Sequence, residues 1–342
     1  MNSIYDVITD IVVDNQIQWS KLENKTVLIT GATGLVGSIF AKALLKANEG
    51  AEFISKTKLF LMSRSNEKLM EQYESSEYVK LINNLDLIEN EKIDFIIHFA
   101  SPTKSEEFIN DPVGTLWGIA SLTKRLLEIG QKNKSKFLYI SSMEVYGQIF
   151  HEDVSEKDLG YIDIEQSRSS YPMGKRFSEA LCHAYKNQYG IDIKIARLTL
   201  TFGPGISAND NRVFAQFARS VLAGTPIVLH TKGETKRDYI HIADAVRALF
   251  YILLIPSQYS TFNISNKNTY ISIKDLAMKF AIKRGGNVVI NSEADAKKYA
   301  PKVEIKLNTD KLESLGWHPK YSLESMINDL LEYVSVSSMV RK

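Results

Sequence analysis

A short apolar strand, KTVLIT, runs straight into TGATGLVGS and then into a helical pattern from Leu35 to about Lys46. Gly31, Gly34 and Gly37 fall between the two elements, with Thr33, Leu35 and Val36 completing the turn. Glycine lets the chain turn tightly and lets a pyrophosphate approach the backbone. The helix N-terminus adds unpaired N–H groups and the positive end of the helix dipole. This order of strand, turn and helix is the context in which a glycine triplet binds a dinucleotide. No Gly-Lys-Ser/Thr follows, so a mononucleotide P-loop is excluded.

The alternation continues with KLFLMSR, DFIIHFAS, KFLYISS and IDIKIARLTLT, the later strands each preceded by a helical stretch. Short apolar strands alternating with helices imply an α/β fold, a Rossmann-type doubly wound parallel sheet covered on both faces. The regularity breaks at Gly203. GPGISANDN is loop chemistry, RVFAQFARSVLAG reads as a helix, TPIVLHTKGETKRDYIHIADAVRALFYIL as a strand pair and a helix, and LESLGWHPKYSLESMINDLLEYV ends in an amphipathic helix. The expected organisation is a dinucleotide-binding domain over 25–202 plus about 239–265, with a smaller interleaved α/β substrate lobe over 203–238 and 266–336. Ile4, Val7, Ile8, Ile11 and Val12 recur at helical spacing, so residues 1–24 are expected as an amphipathic helical extension outside the main fold, docking on the body or on a partner.

The 42 basic and 40 acidic side chains nearly cancel and form no long block of one sign, which argues against nucleic acid as a partner. Cys182 is the only cysteine, so no internal disulfide exists and a cytoplasmic setting is expected. No apolar run reaches the roughly 20 residues needed to cross a bilayer. The six histidines show no metal-ligand spacing, so no metal is expected and His98 reads as a core residue.

Where a carboxylate at the end of the second strand would accept the ribose hydroxyl of NAD, the chain has Ser63 and Arg64. A guanidinium pairs with a 2′-phosphate, which favours NADP over NAD. Ala100 and Ser101, at the end of DFIIHFAS, complete the candidate cofactor set.

Tyr171 and Lys175, in SSYPMGKR, are one helical turn apart and share a face. Ser142 ends KFLYISS at the C-terminal edge of the sheet, where ligands gather. A lysine about 5 Å from the phenol would lower its pKa by roughly two units, bringing it towards use as a base. Tyr171 could then take a hydroxyl proton while hydride leaves the adjacent carbon and Ser142 holds the oxygen.

Together GATGLVG, SSMEVYG, YPMGK and RDYIHIADA resemble the extended short-chain dehydrogenase/reductase family, in its nucleotide-sugar epimerase, dehydratase and decarboxylase branch, from about Lys25 to Val334. The resemblance implies bound NAD(P), a nucleoside diphosphate sugar oxidised transiently at C4, and a homodimer built on helices near 111–130 and 169–189. It makes Ser142, Tyr171 and Lys175 catalytic, with Tyr171 and Lys175 also at the cofactor. Glu144 matches a glutamate shared by 4,6-dehydratases and uronate decarboxylases, while Arg237, Arg212 and Thr201 are placed at the substrate.

The chain departs from the family at three points. Met143 stands where 4,6-dehydratases place an aspartic acid that protonates the leaving hydroxyl, and a thioether donates no proton. Leu200 replaces an asparagine that meets the substrate phosphate. Decarboxylases carry an arginine before LGW, for which this chain offers only Lys302 or Lys306. The implied outcomes are C4 epimerisation, which leads, reduction of a 4-keto sugar by NADPH, or decarboxylation of a uronate. A non-catalytic NADP-sensing scaffold is the alternative of another class, and such relatives lose the Tyr-Lys pair that this chain keeps.

Overall fold

The computed structural model describes residues 3–50, 55–102, 105–149, 151–291 and 302–339. The chain opens with α1 (Ile4–Val12), β1 (Thr26–Thr30), α2 (Leu35–Glu49), β2 (Lys58–Met62), α3 (Asn66–Gln72), β3 (Val79–Ile82) and β4 (Phe95–His98). Next come α4 (Ser105–Asn110), α5 (Pro112–Asn133), β5 (Lys136–Ser142), α6 (Ser170–Tyr189), β6 (Ile193–Leu198), β7 (Leu200–Phe202) and α7 (Val213–Leu222). Then follow β8 (Ile227–Leu229), β9 (Lys236–His241), α8 (Ile242–Leu254), β10 (Thr261–Ile264), β11 (Asn266–Ser272) and α9 (Ile273–Ile282). The order ends with β12 (Val288–Ile290), β13 (Glu304–Ile305), α10 (Asp310–Glu313) and α11 (Leu323–Met339).

Seven parallel strands form the central sheet in the order β10-β6-β5-β4-β1-β2-β3. The strand order reverses beside β1, so β1 and β4 open a crevice at their C-terminal ends, where such sheets bind ligands. The strands are apolar nearly throughout because both faces are covered: α2 and α8 pack on one, α5 and α6 on the other. A second core gathers α7, α9 and α11 around β8 and β9.

The segment IDIKIARLTLT does not form one strand. It breaks at Thr199, whose N–H bonds to Ile264 in the first sheet and whose hydroxyl donates to the Asp238 carbonyl in the second. β6 therefore belongs to the central sheet and β7 pairs with β9 in a smaller one, where β9 also meets β11 and β13. The expected β8–β9 pair does not form either. β8 pairs with β12 and β9 with its own neighbours, because Gly233 and its flanking residues carry the chain from one sheet to another. β3 lacks a strong apolar run and was not among the expected strands.

Of the two docking places expected for it, the N-terminal helix takes the body. Ser3 and Asp6 form a capping box, and Val7, Ile8, Ile11 and Val12 are buried in the core shared with α2 and α8. Trp19 packs its ring edge on Phe250 at 4.7 Å and donates from Nε1 to the Val12 carbonyl at 3.0 Å. Asp14 is clasped by Arg247 at 3.0 Å and Lys320 at 2.8 Å, and Arg247 also pairs with Asp244. Burial opposes the Asp14 charge, but the bonds from Lys320, the Gln16 N–H and Arg247 outweigh it and hold the carboxyl below its ordinary range.

Candidate active site

The glycine turn has the geometry a dinucleotide needs. Gly31 sits at φ 71°, and a Cβ there would lie 2.7 Å from the Ala100 nitrogen. A Cβ on Gly37 would lie 2.3 Å from the Gly31 oxygen, so helix and strand can approach only through glycine. Gly34 caps α2 without a side-chain bond, and the space outside it is open, with only the Gly31 oxygen near, at 3.4 Å. The first N–H groups of α2, at Leu35 and Val36, thus front an uncapped N-terminus suited to an anion. Thr33 bonds to Ser63 across the turn at 2.9 Å, and Ser101 Oγ is buried without a partner. These residues fit a bound dinucleotide. Arg64 is exposed and lines a groove with Pro102, Glu106, Glu107, Asp111 and Thr115.

Ser142 closes β5 and Glu144 follows in a short 3-10 turn, in which the Ser142 hydroxyl accepts from the Glu144 N–H at 3.2 Å. α6 begins at Ser170, which brings Tyr171 and Lys175 beneath that turn. The Ser142 hydroxyl lies near enough to the Tyr171 phenol to favour its ionised form. Glu144 takes a two-pronged bond from Arg168, at 3.2 and 3.3 Å. Phe108 of α4 stacks flat on the Tyr171 ring, 4.4 Å away at 7°.

The expected acidification of Tyr171 is reversed. Burial, and after it the Glu144 charge, push the phenol above its ordinary value, outweighing Ser142 and Arg168. The Lys175 ammonium sits 5.9 Å from the Tyr171 ring centre and donates to the Ile140 carbonyl at 2.8 Å. Burial draws Lys175 itself down to about 7. Both groups are buried deeply enough for desolvation to outweigh the attraction that a solvent-like dielectric suggests.

Arg237, on β9, is half-buried, and its Nε is buried without a hydrogen-bond partner. Burial, and then Arg168, hold its pKa below the ordinary guanidinium value, opposed by Tyr239 and Glu144. It is a cation ready for an anion. Arg212 is engaged already, by Asp210 at 3.0 Å and by the Thr201 carbonyl at 3.3 Å. Thr201 is buried and donates its hydroxyl to Thr199. Neither is brought to Tyr171 by a contact, so Arg237 alone of the three candidate substrate residues has a buried polar atom without a partner.

Met143 is nearly buried in an apolar cluster with Val145, Tyr146, Val154, Ile305 and Leu307, against which Leu200, Ile149 and Val303 pack. Two of the three departures noted in the sequence, Met143 and Leu200, are therefore neighbours. Lys302 pairs with Glu304 at 3.0 Å on the surface, and Lys306 lies 5.9 Å from the Tyr270 ring centre.

Sequence reasoning missed Arg168, Phe108 and Arg176. Arg176 ties the turn after Ser142 to the following loop through the Val145, Tyr146 and Gly160 carbonyls. Arg168 stands three residues before Tyr171, but only the tertiary fold brings it to Glu144. His98 is a core residue as expected, bonded to Thr30 and Thr123 at 2.8 and 3.1 Å. Among the described residues no group of His, Cys, Asp or Glu could hold a metal ion, and no helix is long and apolar enough to cross a membrane.

A Rossmann-type sheet with a dinucleotide cradle facing a Ser-Tyr-Lys set defines a nucleotide-dependent enzyme. Residues 27–265 match the NAD dependent epimerase/dehydratase family, and the chain belongs to that family. It is 31% identical over 319 residues to UDP-glucuronic acid decarboxylase 1 of Xenopus tropicalis, covering 92% of this chain and 73% of that protein. It is 29% identical to UDP-glucuronic acid decarboxylase 6 of Arabidopsis thaliana, covering 88% and 86%. Among solved structures it superposes on epimerase Mth375 of Methanothermobacter thermautotrophicus with a TM-score of 0.80 at 19% identity, covering 96% and 97%. It also superposes on UDP-glucuronic acid 4-epimerase of Bacillus cereus, solved with UDP-glucuronic acid and NAD, with a TM-score of 0.73 at 22% identity, covering 91% and 99%. These two structures share its fold.

Proposed function

We propose that the protein transfers hydride at C4 of a nucleoside diphosphate sugar, with C4 epimerisation as the outcome. The observation that carries this reading is the meeting of Ser142, Tyr171 and Lys175 at the C-terminal end of β5, with the unpaired Arg237 within electrostatic reach of Glu144 and Arg168. When bound, the dinucleotide supplies a hydride acceptor and a positive ring that favours the phenolate. Ser142 holds the C4 oxygen and Tyr171 takes its proton. Lys175, fixed on the Ile140 carbonyl, holds the base of the pocket, while Arg237 takes a diphosphate oxygen. Inversion would follow if the hydride returned to the opposite face of C4, with no net redox change.

A second reading, reduction of a 4-keto sugar by NADPH, is favoured by Ser63 and Arg64 standing where NAD enzymes place a carboxylate. Uronate decarboxylation, the activity named for the curated relatives, is disfavoured by the lack of an arginine before LGW, since lysine has no bidentate fork. The exposed Val113, Leu116 and Trp117 of α5 and Phe177 of α6 support a homodimer through these helices.

Purified protein incubated with UDP-, dTDP-, CDP- and GDP-sugars, with absorbance followed at 340 nm and products by NMR, tests the reading. Epimers without net absorbance change support it, and stoichiometric loss of NADPH replaces it with the reductase. The mass of the nucleotide released on denaturation distinguishes NADP from NAD.

A further inference from the structure

The reaction centre has one flank without polar chemistry. Met143 lies between Ser142 and Glu144 in the chain, and its side chain joins an apolar cluster against which half-buried Leu200, Ile149 and Val303 pack. Leu200 pairs with Tyr239 across β7 and β9, two residues from Arg237, so it shares a sheet face with the unpaired guanidinium. Two hydroxyls in or against this cluster are engaged, whereas the Tyr239 hydroxyl and one Asp238 oxygen on the neighbouring strand are buried without a partner. The Thr199 hydroxyl donates to the Asp238 carbonyl at 2.7 Å and touches Met143 Sδ at 3.4 Å, and the Tyr146 hydroxyl donates to Asn263 at 2.5 Å.

A pyranose with C4 at Tyr171 and its C1 diphosphate at Arg237 has two edges. One carries the hydroxyl-bearing carbons C2 and C3. The other carries the ring oxygen and C5 with its exocyclic carbon. Only the second can lie against a thioether and a leucine without stranding hydroxyls, and only when the exocyclic carbon bears no oxygen.

We infer that the substrate is a nucleoside diphosphate 6-deoxyhexose, and that Met143 and Leu200 select it by packing on its C5 methyl group. This rests on the C4 reading above. A primary hydroxyl at that carbon would be buried without a partner and a carboxylate more severely so, whereas a pentose would leave the wall uncovered. The expected preference over the parent hexose is about ten- to a hundredfold in kcat/KM.

The test compares UDP- and dTDP-linked 6-deoxyglucose with the corresponding glucose, glucuronate and xylose nucleotides. Turnover is followed by NMR and binding by calorimetry, using the full chain with its cofactor. The proposal expects the 6-deoxy sugars to lead, and expects Leu200→Asn and Met143→Ser each to shrink the preference at least fivefold, mainly through KM. Leu200 is half-buried, so its variant remains informative if Met143→Ser fails to fold. Equal or better use of the hexose or the uronate by the wild type overturns the inference and leaves the C4 reading standing. A preference for the 6-deoxy sugar that survives in Leu200→Asn removes Leu200 from the selecting wall. Absence of turnover and binding with every sugar nucleotide removes the C4 reading, and this inference with it.

Discussion

The glycine turn and the sugar side of the cleft solve recognition by opposite means. At the turn the backbone does the work: Gly31 and Gly37 remove side chains so that strand, helix and ligand can come within van der Waals reach. On the side proposed for the sugar the features are side chains, with Glu144 held by Arg168, Arg237 left unpaired and Met143 and Leu200 in an apolar cluster. A backbone site is fixed by a few residues close in sequence. A side-chain site is assembled from β5, α6, β7 and β9, and one substitution can change what it accepts.

The sharpest way to break this contrast is Tyr171→Phe. Turnover should fall by about 10²- to 10⁴-fold, while cofactor affinity, measured by calorimetry, stays within about twofold. Loss of cofactor binding would mean that the two sides are not separable. Next is Gly37→Ala, whose methyl would press on the Gly31 oxygen. It should cost about 1–3 kcal/mol in denaturant unfolding and weaken the dinucleotide, with the KM for sugar unchanged at saturating cofactor. On the opposite side, Arg237→Met should raise the sugar KM by about tenfold or more with kcat little altered, as expected for a contact made equally in ground and transition states.

The smallest effect concerns His98, which burial first and Lys175 second hold down to about 3 in the folded state. Its unfolded value is near 6.5. Between those values the unfolded chain binds the extra proton, so stability is full above pH 6.5 and is lost as pH falls towards 3. At about pH 5.5 the loss is about 1.4 kcal/mol from this group, and thermal melts of His98→Gln should show a shallower acid limb.

The sheet and the glycine turn were legible because each strand carries its own apolar run and each glycine its own steric reason. Ser142, Tyr171 and Lys175 were legible as a set, since one strand end and one helical turn position all three. The electrostatics were not: Lys175 and Tyr171 are shifted by burial, which spacing along a helix does not reveal. Nor was the split at Thr199 visible, because one uninterrupted apolar run serves two sheets. Arg168 and Phe108 reach the centre from segments whose local patterns carry no chemical signature.

The clasp of Asp14 by Arg247 and Lys320 has a practical corollary for anyone recombining relatives. A chimera that swaps the segment carrying Lys320 while keeping a foreign residue at position 14 would strand a cation or a carboxylate beneath α8. The graft would melt early for reasons unrelated to its new active site. Residues 14, 244, 247 and 320 should therefore be exchanged together.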